Sequence, residues 1–154
     1  MNSYEAAQSD ASNVPSAAAW LGGFGVIPFI VLSLAKTFAS DVLNARLSFA
    51  LLAYGAIILS FLGGIHWGLA IASPQIDNTL WRRMTLSILP SLVAWVALVT
   101  PSSAGFLILA GALVAMLLVD IQASRVREAP AWYPKLRWPL SCGAVASLIL
   151  GMFS

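Results

Sequence analysis

Charged residues are scarce in this sequence. Its 154 residues include only 8 basic and 6 acidic side chains, which is 9% of the chain, whereas a soluble domain carries about a quarter. Sixty per cent of the residues are hydrophobic, more than one water-soluble core of this size can bury. The composition excludes a soluble globular domain and predicts an integral membrane protein.

Cysteine and histidine are nearly absent, with one of each: Cys142 and His66. A single cysteine excludes a disulfide framework, and this pair cannot build a zinc or iron–sulfur site. Phosphate-loop and GxSxG patterns are missing, as is a basic stripe with interleaved aromatic residues. We therefore expect no metal site and no nucleic-acid partner, favour a non-catalytic protein, and leave any cofactor unknown.

Long apolar runs are what the sequence does contain. Residues 1–16 are polar and hold no Lys or Arg, so we expect a disordered tail rather than a targeting peptide. Each apolar run after it approaches the roughly 17–25 residues of a spanning helix, and lipid requires backbone groups to bond internally. We predict an all-α membrane protein, a compact bundle of five transmembrane helices within residues 17–154, at about 17–34, 48–72, 79–100, 104–119 and 136–153.

Small residues recur four positions apart, which places them on one helix stripe and favours close helix packing. Such pairs are expected to hold the bundle together through Ala18 and Gly22, Ala19 and Gly23, Gly64 and Gly68, Gly111 and Ala115, and the series Gly143, Ser147 and Gly151.

The distribution of Lys and Arg predicts orientation. With five spans, the N-terminal tail shares a side with loops that hold Arg82, Arg83, Arg125, Arg127, Lys135 and Arg137. The other side holds Lys36 and Arg46. This excess places the N-terminus in the cytoplasm. The first span alone, with Lys36 after it, favours the reverse, and we follow the larger total.

His66 lies in the run Phe-Leu-Gly-Gly-Ile-His-Trp-Gly, about six residues from the cytoplasmic end of the second predicted span. At about 1.5 Å per residue this is near 9 Å below the interface. An ionisable side chain at that depth requires a partner and marks a functional candidate. Gly63 and Gly64 beside it allow a helix or ligand to approach closely. The alternative is a neutral imidazole bonded to a backbone carbonyl.

Asp120 closes the fourth predicted span at the level of His66. A carboxylate bonded to the imidazole would fix its tautomer, so we treat a pair between Asp120 and His66 as a hypothesis. The alternatives are a solvated helix end or a pair with Ser124 or Arg127.

Trp132 and Tyr133 lie between two prolines, Pro130 and Pro134. The prolines predict a stiff turn or interfacial segment rather than a helix. This segment either covers the cytoplasmic end of the bundle near His66 or anchors it at the interface.

Six short stretches of the sequence together resemble a known family. They are Leu21–Phe29, Tyr54–Ala56, Phe61–Gly68, Pro90–Ser91, Asp120 and Ala131–Tyr133. The chain from about residue 18 onward is similar to an uncharacterised integral membrane family of proteobacteria that also includes the mitochondrial transmembrane protein 69. The resemblance implies a small multi-span protein of the bacterial inner membrane. It marks the His66 run, Asp120 and the Trp132–Tyr133 turn as family features without roles.

The sequence therefore favours a non-catalytic binding or accessory protein of the membrane. Besides the bilayer, its partner would be a quinone, a lipid or another membrane protein, and assembly with identical copies stays open. The alternative is a small oligomeric transporter or proton-coupled permease using His66 and Asp120. We predict a ligand site at the cytoplasmic level formed by Gly63, Gly64, His66, Trp67, Asp120, Trp132 and Tyr133.

Overall fold

Residues 13–72 and 78–154 are described by a computed structural model. Over these ranges the chain is helical and contains no strand, and five helices are long and apolar enough to cross a membrane. The predicted all-α membrane fold is confirmed. The helices are α1 (Ser16–Thr37), α2 (Asp41–Ile71), α3 (Asn78–Val99), α4 (Ser102–Arg125) and α5 (Tyr133–Phe153).

Several helices extend beyond the apolar runs that predicted them, including α1, which continues to Thr37 instead of ending at residue 34. Helix α2 begins at Asp41 rather than near residue 48, and α4 continues to Arg125 instead of ending at residue 119. Helix α5 begins at Tyr133, so the turn predicted there is wrong for this residue. Proline fits the first turn of a helix, where its missing N–H would have no partner, and Pro134 occupies that turn.

The predicted tail falls mostly outside the described residues, which begin at residue 13. Its last residue, Ser16, is the first residue of α1.

Helix α2 is the centre of the bundle and contacts all four other helices. Helix α1 packs against α2 and α5, α3 lies against α2 and α4, and α4 also contacts α5. Because α2 meets neighbours on several sides, its apolar residues surround it instead of forming one stripe. The core includes the fully buried side chains Phe29, Leu51, Leu59, Leu109, Leu113 and Leu148.

Consecutive helices run in opposite directions through the bundle. The start of α1, the end of α2, the start of α3, the end of α4 and the start of α5 therefore share one side, which we call the His66 end. The opposite side, where α1 and α3 end, is the Lys36 end. This arrangement places residues distant in sequence at the same depth.

Some of the predicted small-residue contacts are present and others are wrong within this chain. A methyl group added at Gly22 would lie 2.8 Å from Leu140 of α5, and one added at Gly143 would lie 2.9 Å from Val26 of α1. The close approach of α1 and α5 therefore depends on these glycines. Gly151 of α5 likewise leaves no room for a side chain beside Leu51 of α2. Four glycines of the predicted pairs face open space instead: Gly23, Gly64, Gly68 and Gly111.

Gly63 and Gly64 offer a matched test of helix packing. A Cβ at Gly63 would lie 2.5 Å from the carbonyl oxygen of Ser87, whereas a Cβ at Gly64 meets nothing within 4 Å. We expect Gly63→Ala to lower the free energy of unfolding by about 1–3 kcal/mol, because α3 must move away. Gly64→Ala should be neutral or stabilising, since alanine favours a helix over glycine. Thermal unfolding in detergent measures both, and an equal response would contradict the close approach of α2 and α3.

Candidate ligand-binding site

A buried carboxylate joins three helices at the His66 end. Asp120 of α4 has no solvent-exposed surface. Its Oδ1 accepts a hydrogen bond from His66 Nε2 of α2 at 2.8 Å, and its Oδ2 accepts one from Arg137 Nε of α5 at 2.7 Å. The predicted contact between His66 and Asp120 is confirmed, and the solvated helix end is wrong. We call these three residues the ion-pair triad.

The antiparallel bundle brings the triad to one depth. His66 lies five residues before the end of α2, Asp120 five residues before the end of α4, and Arg137 four residues after the start of α5. Each is therefore about 6–8 Å inside its helix end. The longer α4 matters here, because Asp120 is within the helix and not at its terminus.

The contacts of Asp120 set the state of its partners. An ionised carboxylate can only accept hydrogen bonds, so His66 Nε2 carries a hydrogen. Arg137 keeps its charge under all ordinary conditions. Two hydrogen bonds and an opposite charge offset the cost of burying a carboxylate, which is large when the group is unpaired.

Arg137 is the site residue that sequence reasoning missed. It was counted among the loop charges that set orientation, although it lies inside the fifth predicted span. A cation inside a span requires a partner. That requirement, with the carboxylate of Asp120 at the same depth, is the sequence signal that identifies Arg137.

A cleft of about 300 Å³ lies where α1, α2 and α5 meet. We call it the α5 cleft. Its walls are largely apolar and include Leu21, Phe29 and Phe61. Further side chains lining it are Val26, Leu62, Leu136 and Leu140.

Three buried polar atoms without a hydrogen-bond partner among the described residues belong to side chains that line this cleft: Tyr133 Oη, Arg137 Nη2 and Ser141 Oγ. These residues are spaced four apart on α5, so they form one stripe on the helix. Leaving such a group unsatisfied costs about 1–3 kcal/mol. The stripe therefore favours a molecule that supplies hydrogen-bond partners inside an apolar cleft.

A second, larger opening of about 970 Å³ lies between α3 and α4, with α2 at its base. We call it the α3–α4 groove. His66 lines it together with Arg82, Arg83, Gln122 and Glu128, and the remaining lining is almost entirely apolar. His66 therefore borders the groove, whereas Arg137 borders the α5 cleft. The carboxylate of Asp120 connects the two.

The other predicted site residues lie at the same end but differ in surroundings. Trp132 is half-buried, and its ring packs edge-on against Tyr133 at 6.0 Å between centroids. Gly63 is covered by α3, and Gly64 faces open space. Trp67 is 38% exposed and lines neither cavity. Contact of these residues with a ligand stays a prediction.

A second polar cluster lies at the Lys36 end. Lys36 is buried, and its Nζ donates to Asn44 Oδ1 at 2.6 Å and to Ser48 Oγ. Asn44 Nδ2 donates in turn to the carbonyl oxygen of Ser154 at 2.9 Å. Over residues 13–72 and 78–154 no carboxylate pairs with Lys36. Ser48 and His66 are 18 residues apart on α2, about 27 Å, so the two clusters bracket most of a hydrocarbon layer about 30 Å thick.

These features define a class, the multi-pass membrane proteins: five spanning helices with a buried ion pair at one end. The chain belongs to the family described as "Protein of unknown function (DUF3429)", which matches residues 14–153. It is 34% identical over 140 residues to a protein named Transmembrane protein 69 from Xenopus tropicalis, covering 89% of this chain and 54% of that one. The chain thus spans about half the length of this curated relative. No solved structure matches.

Removing one partner from the ion-pair triad should destabilise the protein far more than removing one partner from the surface pair nearby. Asp120→Ala leaves Arg137 as a buried charge without its partner, and we expect a loss of about 3–5 kcal/mol in unfolding free energy. Glu128→Ala removes a partly exposed pair, with 2.9 Å between Arg83 Nη2 and Glu128 Oε2, and should cost about 1 kcal/mol or less. Chemical unfolding in detergent compares them, and similar losses would show that the triad is not buried as described.

Proposed function

We propose that this chain is a non-catalytic binding protein of the membrane that holds a lipid-soluble molecule in the α5 cleft. One observation carries the proposal: three buried polar atoms, on Tyr133, Arg137 and Ser141, have no partner among the described residues, and these three residues line one apolar cleft. A ligand with an apolar body would pack against the walls of the cleft, and its acceptor oxygens would bond to the donors on the stripe.

The donors on the stripe indicate the ligand chemistry. A guanidinium group can only donate, whereas the hydroxyl groups of Tyr133 and Ser141 donate or accept. The complementary group is therefore an oxygen acceptor, such as a quinone carbonyl or an oxygen of a lipid headgroup. A cationic ligand is disfavoured because it would meet Arg137.

In this proposal His66 and Asp120 support the site from behind. Asp120 engages Arg137 through Nε, which leaves Nη2 without a partner among the described residues. A free arginine side chain carries about 2 kcal/mol of rotamer entropy, and the ion pair removes part of that cost before a ligand arrives. The centre of the site is then Arg137 rather than His66.

A proton-coupled permease is the second candidate. The contact that favours it is the carboxylate of Asp120, which links His66 at the α3–α4 groove with Arg137 at the α5 cleft. Between the triad and the Lys36 end, however, the buried side chains are mostly apolar, among them Leu51, Leu59, Leu109 and Leu148, and the buried polar ones are serines such as Ser87, Ser141 and Ser147. Over the described residues no charged side chain is buried between the two ends, so we prefer the binding protein.

We also propose that the protein lies in a bacterial inner membrane with its His66 end toward the cytoplasm. Lys36 is buried and hydrogen-bonded to Asn44 and Ser48, and Arg137 is buried and paired with Asp120, so both are weak guides to orientation. The remaining basic residues still number five at the His66 end and one at the other. That excess supports a cytoplasmic start of α1.

Cysteine labelling tests the orientation. In a Cys142→Ser background, Ser40→Cys and Ala131→Cys place single thiols in exposed segments at opposite ends, and neither change alters a charge. We expect a membrane-impermeant maleimide added to intact spheroplasts to label Ser40→Cys alone, and to label both variants after lysis. Labelling of Ala131→Cys alone in intact spheroplasts would reverse the proposed orientation.

Native mass spectrometry after gentle purification tests the cleft. Ser141 is buried in the cleft, whereas its neighbour Cys142 is exposed. We expect the wild type and Cys142→Leu to retain a bound molecule, and Ser141→Leu to lose it because the added bulk fills the cleft. Tyr133→Phe with Ser141→Ala removes two hydroxyl groups without adding bulk, and should weaken retention.

A wild-type chain that is bare under these conditions would contradict the proposal. So would a Ser141→Leu variant that keeps the same bound mass as Cys142→Leu.

A further inference from the structure

We infer that the molecule held in the α5 cleft is an oxyanion on an apolar chain, and that it binds together with one proton on His66. This inference rests on the proposed function of the cleft and adds the ligand's charge and its coupling to protons.

The donor stripe favours an oxyanion over a single neutral carbonyl. Tyr133, Arg137 and Ser141 follow one another along α5 at one-turn intervals, about 6 Å apart. A carboxylate or phosphate has several acceptor oxygens and accepts the strong hydrogen bonds that a guanidinium donates. One carbonyl oxygen would leave most of the stripe without partners.

The charge balance of the triad requires a further positive charge for such a ligand. With His66 neutral, Asp120 and Arg137 cancel, so a buried anion in the cleft would have no surplus opposite charge. With His66 protonated, the triad carries one net positive charge. Coulomb interactions are strong where water is excluded, so protonation of His66 favours the anion. Linkage then requires that the anion favours protonation to the same extent.

The geometry allows protonation without breaking the triad. His66 Nε2 already donates to Asp120, so the added proton goes to Nδ1 and the contact remains. His66 lines the α3–α4 groove, whereas the ligand would lie in the α5 cleft on the far side of Asp120. Proton and ligand therefore do not compete for space.

Other charged groups near this end of α2 do not reverse the argument. Arg83 of α3 pairs with Glu128, which follows α4, so their charges largely cancel. Arg82 of α3 opposes another positive charge but is exposed, where salt screens it. Helix α5 contributes Arg137, already counted, the uncharged phenol of Tyr133, and Lys135. Lys135 is exposed, as are Arg125 of α4 and Arg127 after it, so salt screens these charges as well. The ionisable side chain of α1 is Lys36, at the opposite end.

Calorimetry on the full chain in phosphatidylcholine nanodiscs tests the inference. The probe is hexadecyl sulfonate, whose charge does not change with pH. Titration in two buffers of different ionisation enthalpy counts the protons taken up with each sulfonate. We expect uptake to approach one proton, and affinity for the sulfonate to fall by up to about tenfold for each unit of rising pH. Hexadecanol, the same chain without the charge, should bind with no proton uptake.

Two variants distinguish protonation of His66 from the effect of other charges that line the same groove. His66→Gln retains a donor for Asp120 but cannot gain a proton, so sulfonate should bind without proton uptake and without pH dependence. Arg82→Gln removes a charge from the same groove outside the triad, and should keep the uptake of the wild type.

Competition identifies the source of the oxyanion. Displacement of the sulfonate by palmitate would indicate a free fatty acid, and displacement by dipalmitoyl phosphatidate would indicate a lipid headgroup. Displacement by neither would overturn the assignment of the ligand class.

The outcomes distinguish this inference from the proposed function. Sulfonate binding without proton uptake, or equal uptake in His66→Gln, overturns the coupling and leaves the cleft as a binding site. Binding of the neutral decylubiquinone and not of sulfonate overturns the oxyanion alone. Failure of sulfonate, hexadecanol and decylubiquinone to bind overturns the proposed function itself.

Discussion

The carboxylate of Asp120 is the group on which the His66 end depends. It is fully buried, and each of its oxygens accepts a hydrogen bond from a different helix, from His66 of α2 and from Arg137 of α5. Apolar contacts between helices in lipid have little directional preference. The carboxylate of Asp120 cannot be left unpaired, so it sets the relative depth of α2, α4 and α5. That alignment in turn sets the depth of the α5 cleft and of the α3–α4 groove.

The two polar ends of the bundle differ in how completely they are satisfied. At the Lys36 end, the amine bonds to Asn44 and Ser48, and Asn44 bonds to the carbonyl oxygen of Ser154. At the His66 end, polar atoms of Tyr133, Arg137 and Ser141 are buried without a partner among the described residues, and these residues line a cleft. Complete hydrogen bonding favours a structural role, whereas unpartnered donors beside an apolar cleft support the proposed binding site. This contrast explains why the proposed site lies at one end only.

Local sequence patterns predicted the helices better than the helix ends. The apolar runs identified five spans, but α4 extends past its run because Asp120 is paired inside the protein and needs no contact with water. Helix α5 begins before its run because Pro134 fits the first turn of a helix. The small-residue pairs likewise predicted only some of the helix contacts. Gly22 and Gly143 contact neighbouring helices, whereas Gly64 and Gly68 face outward. Spacing of four places residues on one stripe but does not say which stripe meets another helix.

The amino-acid sequence by itself determined that this is a membrane protein of five helices, and that an ionisable His66 within a span requires a partner. These conclusions follow from composition and from periodicity along the chain. The tertiary structure decided that Asp120 is that partner, that Arg137 shares it, and that Asp120 links a cleft to a groove. His66 and Asp120 are 54 residues apart, and Arg137 belongs to a third helix. Contacts of this kind depend on how helices pack, because spacing along one helix carries no information about the rotation of the next.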